Sequence, residues 1–150
     1  MRLRSLFTVA WLLPWALAAE PKVSTKQFEH QPRNLMFFDD SEVAIIVEKE
    51  TGVVWRTKDA GGEWEATKEI GEGQAVAVFK HPYDNKVAVT LGRRTEHWIT
   101  KDQGATWKSF KTEEPPSGLY PISFHATDPD RMLYNGEEEC GFFSCIGKVS

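Results

Sequence analysis

The sequence lacks several features that would indicate a membrane protein, an N-glycosylated protein or a nucleic-acid-binding protein. After residue 18 there is no long apolar run, and none of the three asparagines stands in an N-x-S/T sequon. No stretch of the chain beyond that point repeats its apolar residues with the 3.6-residue period of an amphipathic helix. The net charge of −4 does not favour nucleic acid or an anionic membrane surface as a partner.

The first eighteen residues have the order of a secretory signal peptide. Arg2 and Arg4 provide a basic start, and an apolar stretch follows over residues 6–17. That stretch is too short to span a bilayer, which needs about 20 residues. It ends in Ala16-Leu17-Ala18, a small-residue site of the kind that signal peptidase cleaves. We therefore predict a signal peptide over residues 1–18, a mature chain over residues 19–150 and a location in the secretory pathway.

The two cysteines, Cys140 and Cys145, lie five positions apart. In a secretory chain a pair this close favours a disulfide that closes a tight loop. Zinc binding is the alternative interpretation, but no histidine or further cysteine lies nearby to complete four ligands. The sequence thus predicts a disulfide, with no metal ion and no cofactor.

The most informative feature is an internal repeat. Residues 57–64 read TKDAGGEW and residues 100–107 read TKDQGATW, so five residue types recur in the same order 43 positions apart. A further tryptophan, Trp55 or Trp98, precedes each copy by two residues. Repeats of this period are typical of stacked or ring-forming architectures.

β-like runs separated by turn residues accompany the repeat. The predicted strands are 35–38, 43–48, 53–57 and 63–67 in the first unit, 74–79, 86–91, 95–100 and 106–110 in the second, and 119–124 and 131–135 in the third. Four short antiparallel strands per unit of ~40–50 residues are typical of a β-propeller blade. We predict an all-β propeller with complete blades over 35–67 and 74–110 and part of a third over 119–150. The first strand of each unit, such as 75–79, is almost continuously apolar and is expected to be buried on both faces.

The repeated octet resembles the Asp box, the S/T-x-D-x-G-x-T-W hairpin of several propeller families. The matching residues are Thr57, Asp59, Gly61 and Trp64 in the first copy and Thr100, Asp102, Gly104, Thr106 and Trp107 in the second. An aspartate in a turn accepts hydrogen bonds from backbone N–H groups a few residues on, and glycine allows the positive φ of the bend. Each tryptophan is expected to start the outer strand and to pack between blades. The first copy departs from the pattern at Glu63.

The two aspartates permit two interpretations. As catalytic carboxylates, Asp59 and Asp102 would take part in acid–base chemistry. As turn anchors, they would hold hairpins that lie far from the propeller axis. Binding sites usually form near that axis. We expect the structural role, and we expect no catalytic residues in the chain.

The early FFDD, the two TKDxGxxW copies and the segment FHATDPDRMLYNGEEECGFFSC together resemble the start of the sortilin family, and its fungal sorting receptors in particular. The resemblance implies a ten-bladed propeller that binds polypeptide cargo, such as vacuolar hydrolase precursors, in the Golgi and endosome lumen. It also implies a cysteine pair in a short loop of the third blade. Such receptors carry hydrolases from the late Golgi to the vacuole through a transmembrane helix and a cytoplasmic tail, and we expect neither within these 150 residues. The ligand-binding residues are not apparent from the sequence.

Two other classes of protein also use Asp-box propellers. A sialidase or another glycoside hydrolase would need an arginine cluster and a tyrosine nucleophile. The N-terminal F/Y-R-I-P signature of sialidases is absent, and the nearest text is Pro32-Arg33-Asn34-Leu35. A structural or assembly-factor propeller has no distinguishing motif. These two classes remain the alternatives to a receptor.

Overall fold

The computed structural model describes residues 25–118, 121–128 and 130–136, and these form strands and turns without a helix. The predicted signal peptide and both cysteines lie outside these residues. The described residues thus contain no helix that could cross a membrane. The prediction of an all-β chain is confirmed for the residues described.

The strands form two four-stranded antiparallel sheets and one two-stranded sheet. The first sheet contains β1 (Pro32–Phe37), β2 (Ala44–Glu48), β3 (Val54–Thr57) and β4 (Glu65–Ala66). The second sheet contains β5 (Ala75–Lys80), β6 (Ala88–Gly92), β7 (Glu96–Thr100) and β8 (Lys108–Lys111). The third sheet contains β9 (Ile122–Phe124) and β10 (Met132–Tyr134). In the first two sheets the strands follow one another in chain order, which is the meander of a propeller blade.

The two four-stranded sheets have matching registers. Ala44 pairs with Thr57 in the first sheet, and Ala88 pairs with Thr100 in the second. The threonines that open the two octets thus occupy equivalent positions at the end of the third strand. This register fixes which residues of the two sheets correspond, because side chains alternate between the faces of a strand.

The prediction that the first strand of each unit is buried on both faces is wrong. β1 is mostly exposed, and β5 is buried at Ala75 and Val78 and half-buried at its other four positions. The second strands, β2 and β6, are instead buried at every position. β1 and β5 are edge strands, so each has a hydrogen-bonded neighbour on one side only. β2 and β6 lie inside their sheets, and their side chains enter the apolar clusters between stacked sheets.

The first strand also begins earlier than predicted. Pro32 and Arg33 already pair with β2, and the register then shifts before Met36. Asn34, between them, has a φ of 53°, which asparagine tolerates better than most residues. The strand therefore carries a bulge that the apolar pattern did not indicate.

The sheets are stacked through two apolar clusters. One cluster joins the first and second sheets, and its fully buried members include Ile45, Val47 and Val54 on one side and Ala88 and Trp98 on the other. The other cluster joins the second and third sheets through residues such as Val89, Leu91 and Tyr134. The second sheet thus packs one face against the first sheet and the opposite face against the third sheet.

Candidate functional site: the turns of the two octets

The first octet forms a turn held by its own side chains. The Thr57 hydroxyl donates to Asp59 Oδ1 at 2.7 Å and accepts from the Gly61 N–H at 3.0 Å. The Glu63 N–H donates to both carboxylate oxygens of Asp59, at 2.9 and 3.1 Å. Gly61 has a φ of 98°, a left-handed conformation that favours glycine. The side chains of the threonine and the aspartate thus accept hydrogen bonds from the N–H groups of Gly61 and Glu63 within the bend.

The second octet repeats this arrangement with a different donor to one carboxylate oxygen. Thr100 donates to Asp102 Oδ1 at 2.7 Å, and the Gly104 N–H donates to Thr100 Oγ1 at 2.8 Å. The Thr106 N–H donates to Asp102 Oδ1 at 2.9 Å, and the Thr106 hydroxyl donates to Oδ2 at 2.7 Å. Glu63, which replaces threonine in the first copy, has no hydroxyl for this last bond. In the second turn the Thr106 hydroxyl thus takes the Oδ2 position that the Glu63 N–H contacts in the first.

Both carboxyl groups are held in their ionised form. Hydrogen bonds lower the pKa of Asp59, chiefly the one from the Glu63 N–H and then the one from the Thr57 hydroxyl. Partial burial raises the pKa of Asp102, but the hydrogen bonds from Thr106 and Thr100 outweigh it, and the net pKa is also lowered. A general acid at neutral pH needs the opposite shift. Two ionised carboxylates are well suited to anchor a turn by accepting hydrogen bonds.

The tryptophans of the two repeats differ in burial. In the second sheet, Trp98 and Trp107 are only 3% and 7% exposed and belong to the cluster between the first two sheets. In the first sheet, Trp55 and Trp64 are half-buried. Phe28, from the segment before β1, contacts both edge-on, with ring centroids 6.0 and 5.6 Å away. Each tryptophan of the octets immediately precedes the fourth strand of its sheet.

Two residues of the first sheet hold the second turn, and the sequence did not reveal them. Arg56 Nε donates to the backbone carbonyl of Gln103 at 2.8 Å. A Cβ built on Gly104 would lie 2.6 Å from Ile45 Cδ1, so the glycine permits a close approach of the two sheets. The repeat gave no signal for these contacts, because Arg56 corresponds to Ile99 in the second unit.

His97 lies at the junction of the second and third sheets and is fully buried. Its Nδ1 accepts the Gly92 N–H at 3.1 Å, so the proton of the neutral ring is on Nε2, which lies 2.9 Å from the Thr112 hydroxyl. The ring also contacts Phe110 and Tyr134. Burial lowers the pKa of His97 to about 4, which keeps the ring neutral at physiological pH.

Another buried histidine, His81, serves a turn. Its Nδ1 accepts the backbone N–H groups of Tyr83 and Asp84, at 3.1 and 2.9 Å. Its place directly after β5 suits this role. Within residues 25–118, 121–128 and 130–136, no three acidic, histidine or cysteine side chains come together as metal ligands.

The model of one protein family matches the sequence over most of this architecture. The sequence model of the Sortilin-Vps10 family, described as "Sortilin, neurotensin receptor 3", matches residues 52–150. The match includes both octets, the second sheet and the described part of the third. It begins just before β3 of the first sheet.

Curated relatives match nearly the whole chain. Proteins named "Vacuolar protein sorting/targeting protein 10" are 44% identical in Leptosphaeria maculans over 87% of this chain, 46% identical in Pyrenophora tritici-repentis over 89%, and 44% identical in Phaeosphaeria nodorum over 91%. The matched region is only 9–10% of the length of these relatives. On the strength of the family match and of these identities, the chain belongs to the Sortilin-Vps10 family.

Proposed function

We propose that this chain is part of the β-propeller of a sorting receptor that binds soluble hydrolases in the Golgi lumen for delivery to the vacuole or endosome. The observation that carries the proposal is the stack of repeated four-stranded sheets in a chain of the Sortilin-Vps10 family. Its curated relatives are named for vacuolar protein sorting and targeting. The proposed cargo is polypeptide, and the parent protein is proposed to be attached to Golgi and endosome membranes.

The stacking of the sheets supports a ring. The second sheet packs on the first and the third packs on the second through equivalent faces. Repeated heterologous contacts of this kind close into a ring when the rotation between neighbours allows it. We propose that the sheets described here are blades of such a ring, with the ten blades that the sortilin resemblance implies.

The Asp-box residues support a receptor better than an enzyme. Asp59 and Asp102 use their carboxylate oxygens on the hydrogen bonds of their own turns, and both have a lowered pKa. Most glycosidases, sialidases excepted, need two carboxyl groups across a substrate, one of them with a raised pKa. We propose that the chain contributes no catalytic residue and that these residues serve the fold.

Binding and turnover assays test this function. The chain replaces the matching 130 residues of the Leptosphaeria maculans relative, and the hybrid is incubated with vacuolar hydrolase precursors and, separately, with sialosides and β-glucans. We expect saturable binding of the precursors and no release of sugar. A secreted protein that is not delivered to the vacuole is the control ligand. Turnover of a glycan would overturn the proposed function.

A further inference from the structure

The backbones of the first two sheets come closest at β5, which lies against both β1 and β2. β5 is the first strand of the second sheet and lies at its edge. The first strands of propeller blades surround the central channel, so β5 is placed near the axis of the proposed ring. An opening beside β5 is therefore well placed to receive a ligand.

A groove of about 520 Å³ lies beside β5, between the second and third sheets. This volume is within the range of about 300–1,000 Å³ that is usual for ligand sites. The segment that joins the two sheets contributes three prolines to the lining, and two exposed arginines, Arg33 and Arg93, complete it. The floor is apolar and includes Val76, Phe79 and Leu91. We call this site the Arg33 groove.

Arg93 is held in place by uncharged groups. Its Nε donates to the Gly73 carbonyl at 2.9 Å, and its Nη2 lies 3.5 Å from the Glu50 carbonyl. These backbone acceptors orient the guanidinium without neutralising its charge. A guanidinium has five N–H donors, so Arg93 retains donors for a ligand in the groove.

The positive charge of the groove has no counterpart among the described residues. None of their ion pairs includes Arg33 or Arg93, and no side-chain hydrogen bond of Arg33 is formed within them. The described lining also contains no carboxylate. The chain as a whole has a net charge of −4, so the two arginines form a local excess of positive charge beside an apolar floor.

We infer that the Arg33 groove binds an acidic peptide segment of the cargo, in which carboxylate side chains stand next to apolar side chains. The carboxylates bind the arginines, whose planar guanidinium groups match carboxylate geometry. The apolar side chains of the segment lie on the floor. The inference rests on the proposed function and adds to it the chemistry of the cargo segment that this part of the chain recognises.

Two other occupants fit the groove less well. Two arginines are too few for a membrane or a nucleic acid, which attract clusters of basic residues. The chain's own acidic run, Glu137-Glu138-Glu139, follows Gly136, which pairs with Pro116 in the lining. That run carries no apolar side chain for the floor, so the lining favours a separate peptide.

A blocked peptide tests the inference on the unaltered protein. The probe is a short peptide of alternating leucine and glutamate, acetylated at its N-terminus and amidated at its C-terminus, so that only side chains carry charge. Calorimetry measures its affinity for the 150-residue chain and for the hybrid with the Leptosphaeria maculans relative described above. We expect it to bind about tenfold more tightly than the same peptide with glutamine or lysine instead of glutamate, and less tightly at high salt. Equal affinities for the glutamate and glutamine peptides would overturn the inference.

Substitution of single arginines locates the site. Arg33→Gln removes one exposed charge and should weaken binding of the glutamate peptide about threefold to fivefold, the effect of one exposed ion pair. Arg33→Lys should restore most of this loss, and melting temperatures verify that each variant is folded. Arg94→Gln is the matched control, because Arg94 is exposed beside Arg93 but does not line the groove. Equal weakening by Arg33→Gln and Arg94→Gln would place the peptide elsewhere and overturn the inference.

The remaining outcomes separate this inference from the proposed function. A hybrid that binds hydrolase precursors but not the glutamate peptide would overturn the inference and leave the proposed function intact. A hybrid that binds the glutamate peptide through Arg33 but no precursor would support the acidic-peptide site and contradict the proposed function. Binding that appears only after Glu137→Gln, Glu138→Gln and Glu139→Gln are combined would overturn the inference in favour of the chain's own acidic run.

Discussion

The turns of the two octets have nearly the same internal structure but different surroundings. Asp59 and Asp102 accept equivalent hydrogen bonds, and the threonines that open the octets make equivalent contacts. The second turn is inserted against Ile45 and Arg56 of the neighbouring sheet, whereas the first turn has no such neighbour among the described residues. The repeated octet by itself closes a hairpin, and between sheets it also supplies a packing surface.

The largest difference is expected between the two tryptophans that close the octets. Trp107→Ala removes a buried ring from the cluster between the sheets and should lower the free energy of unfolding by about 3–5 kcal/mol. Trp64→Ala removes a half-buried ring that contacts Phe28 and should cost clearly less. Denaturant unfolding of the 150-residue chain measures both values. Equal losses would mean that the two sheets are covered to the same extent.

A second difference concerns pH, because His97 in the second sheet takes the place of Val54 in the first. Burial lowers the pKa of His97 to about 4, below its ordinary value of 6.5. The unfolded chain therefore takes up a proton below pH 6.5 while the native chain does not, so stability falls as the pH drops from 6.5 towards 4. We expect a loss of about 2 kcal/mol between about pH 7.5 and about pH 5.

The control for this pH dependence is His97→Val, which introduces the valine that the first sheet has at the equivalent position. The variant loses the hydrogen bonds to Gly92 and Thr112 and should be less stable at neutral pH. The stability of the variant should nevertheless vary less with pH, because the contribution of His97 is removed. Asp59 and Asp102 do not interfere in this range, because a carboxyl whose native pKa is lowered loses its contribution to stability only as the pH falls towards its ordinary value of 3.8 and below. An unchanged pH profile in His97→Val would contradict the assignment.

A smaller effect is expected from the aspartates. Asp102→Ala removes the acceptor for the Thr106 N–H and hydroxyl and should cost about 1 kcal/mol, because the turn is partly open to water. Asp59→Ala should lower stability by less, since its turn is more exposed and lacks the bond from a threonine hydroxyl. In the hybrid with the full-length relative, neither substitution should weaken binding of hydrolase precursors beyond the change in stability. Affinity lost at unchanged melting temperature would indicate a binding role instead.

The smallest predicted change would make the first turn more like the second. Glu63→Thr introduces the hydroxyl that donates to the aspartate in the second octet, and should stabilise the chain by about 0.5 kcal/mol. The reverse substitution, Thr106→Glu, should destabilise it by a similar amount. Melting temperatures of the two variants measure this pair of effects. A loss of stability in Glu63→Thr would show that the first turn cannot form the additional bond.

Local parts of the structure could be predicted from the sequence. The repeated threonine, aspartate and glycine determine the turn by hydrogen bonds within the octet, and the alternation of apolar and turn residues indicates four strands per unit. Burial was predicted less well, because it depends on how the sheets stack, and the second strands rather than the first are fully buried. The contacts of Arg56 and Phe28 join distant parts of the chain and have no equivalent in the repeat. The signal peptide and the pair Cys140 and Cys145 remain predictions.

The most direct test of the account is the energetic coupling between Ile45 and Trp107. A Cβ on Gly104 would approach both side chains, at 2.6 and 3.4 Å, so the three meet where the second turn enters the first sheet. A double-mutant cycle with Ile45→Ala and Trp107→Ala should give a coupling of about 1 kcal/mol, since residues in contact are not additive. The control cycle pairs Ile45→Ala with Trp64→Ala, on the opposite face of the first sheet, and should give a coupling near zero. Coupling in the control cycle with none between Ile45 and Trp107 would contradict the proposed stacking of the two sheets.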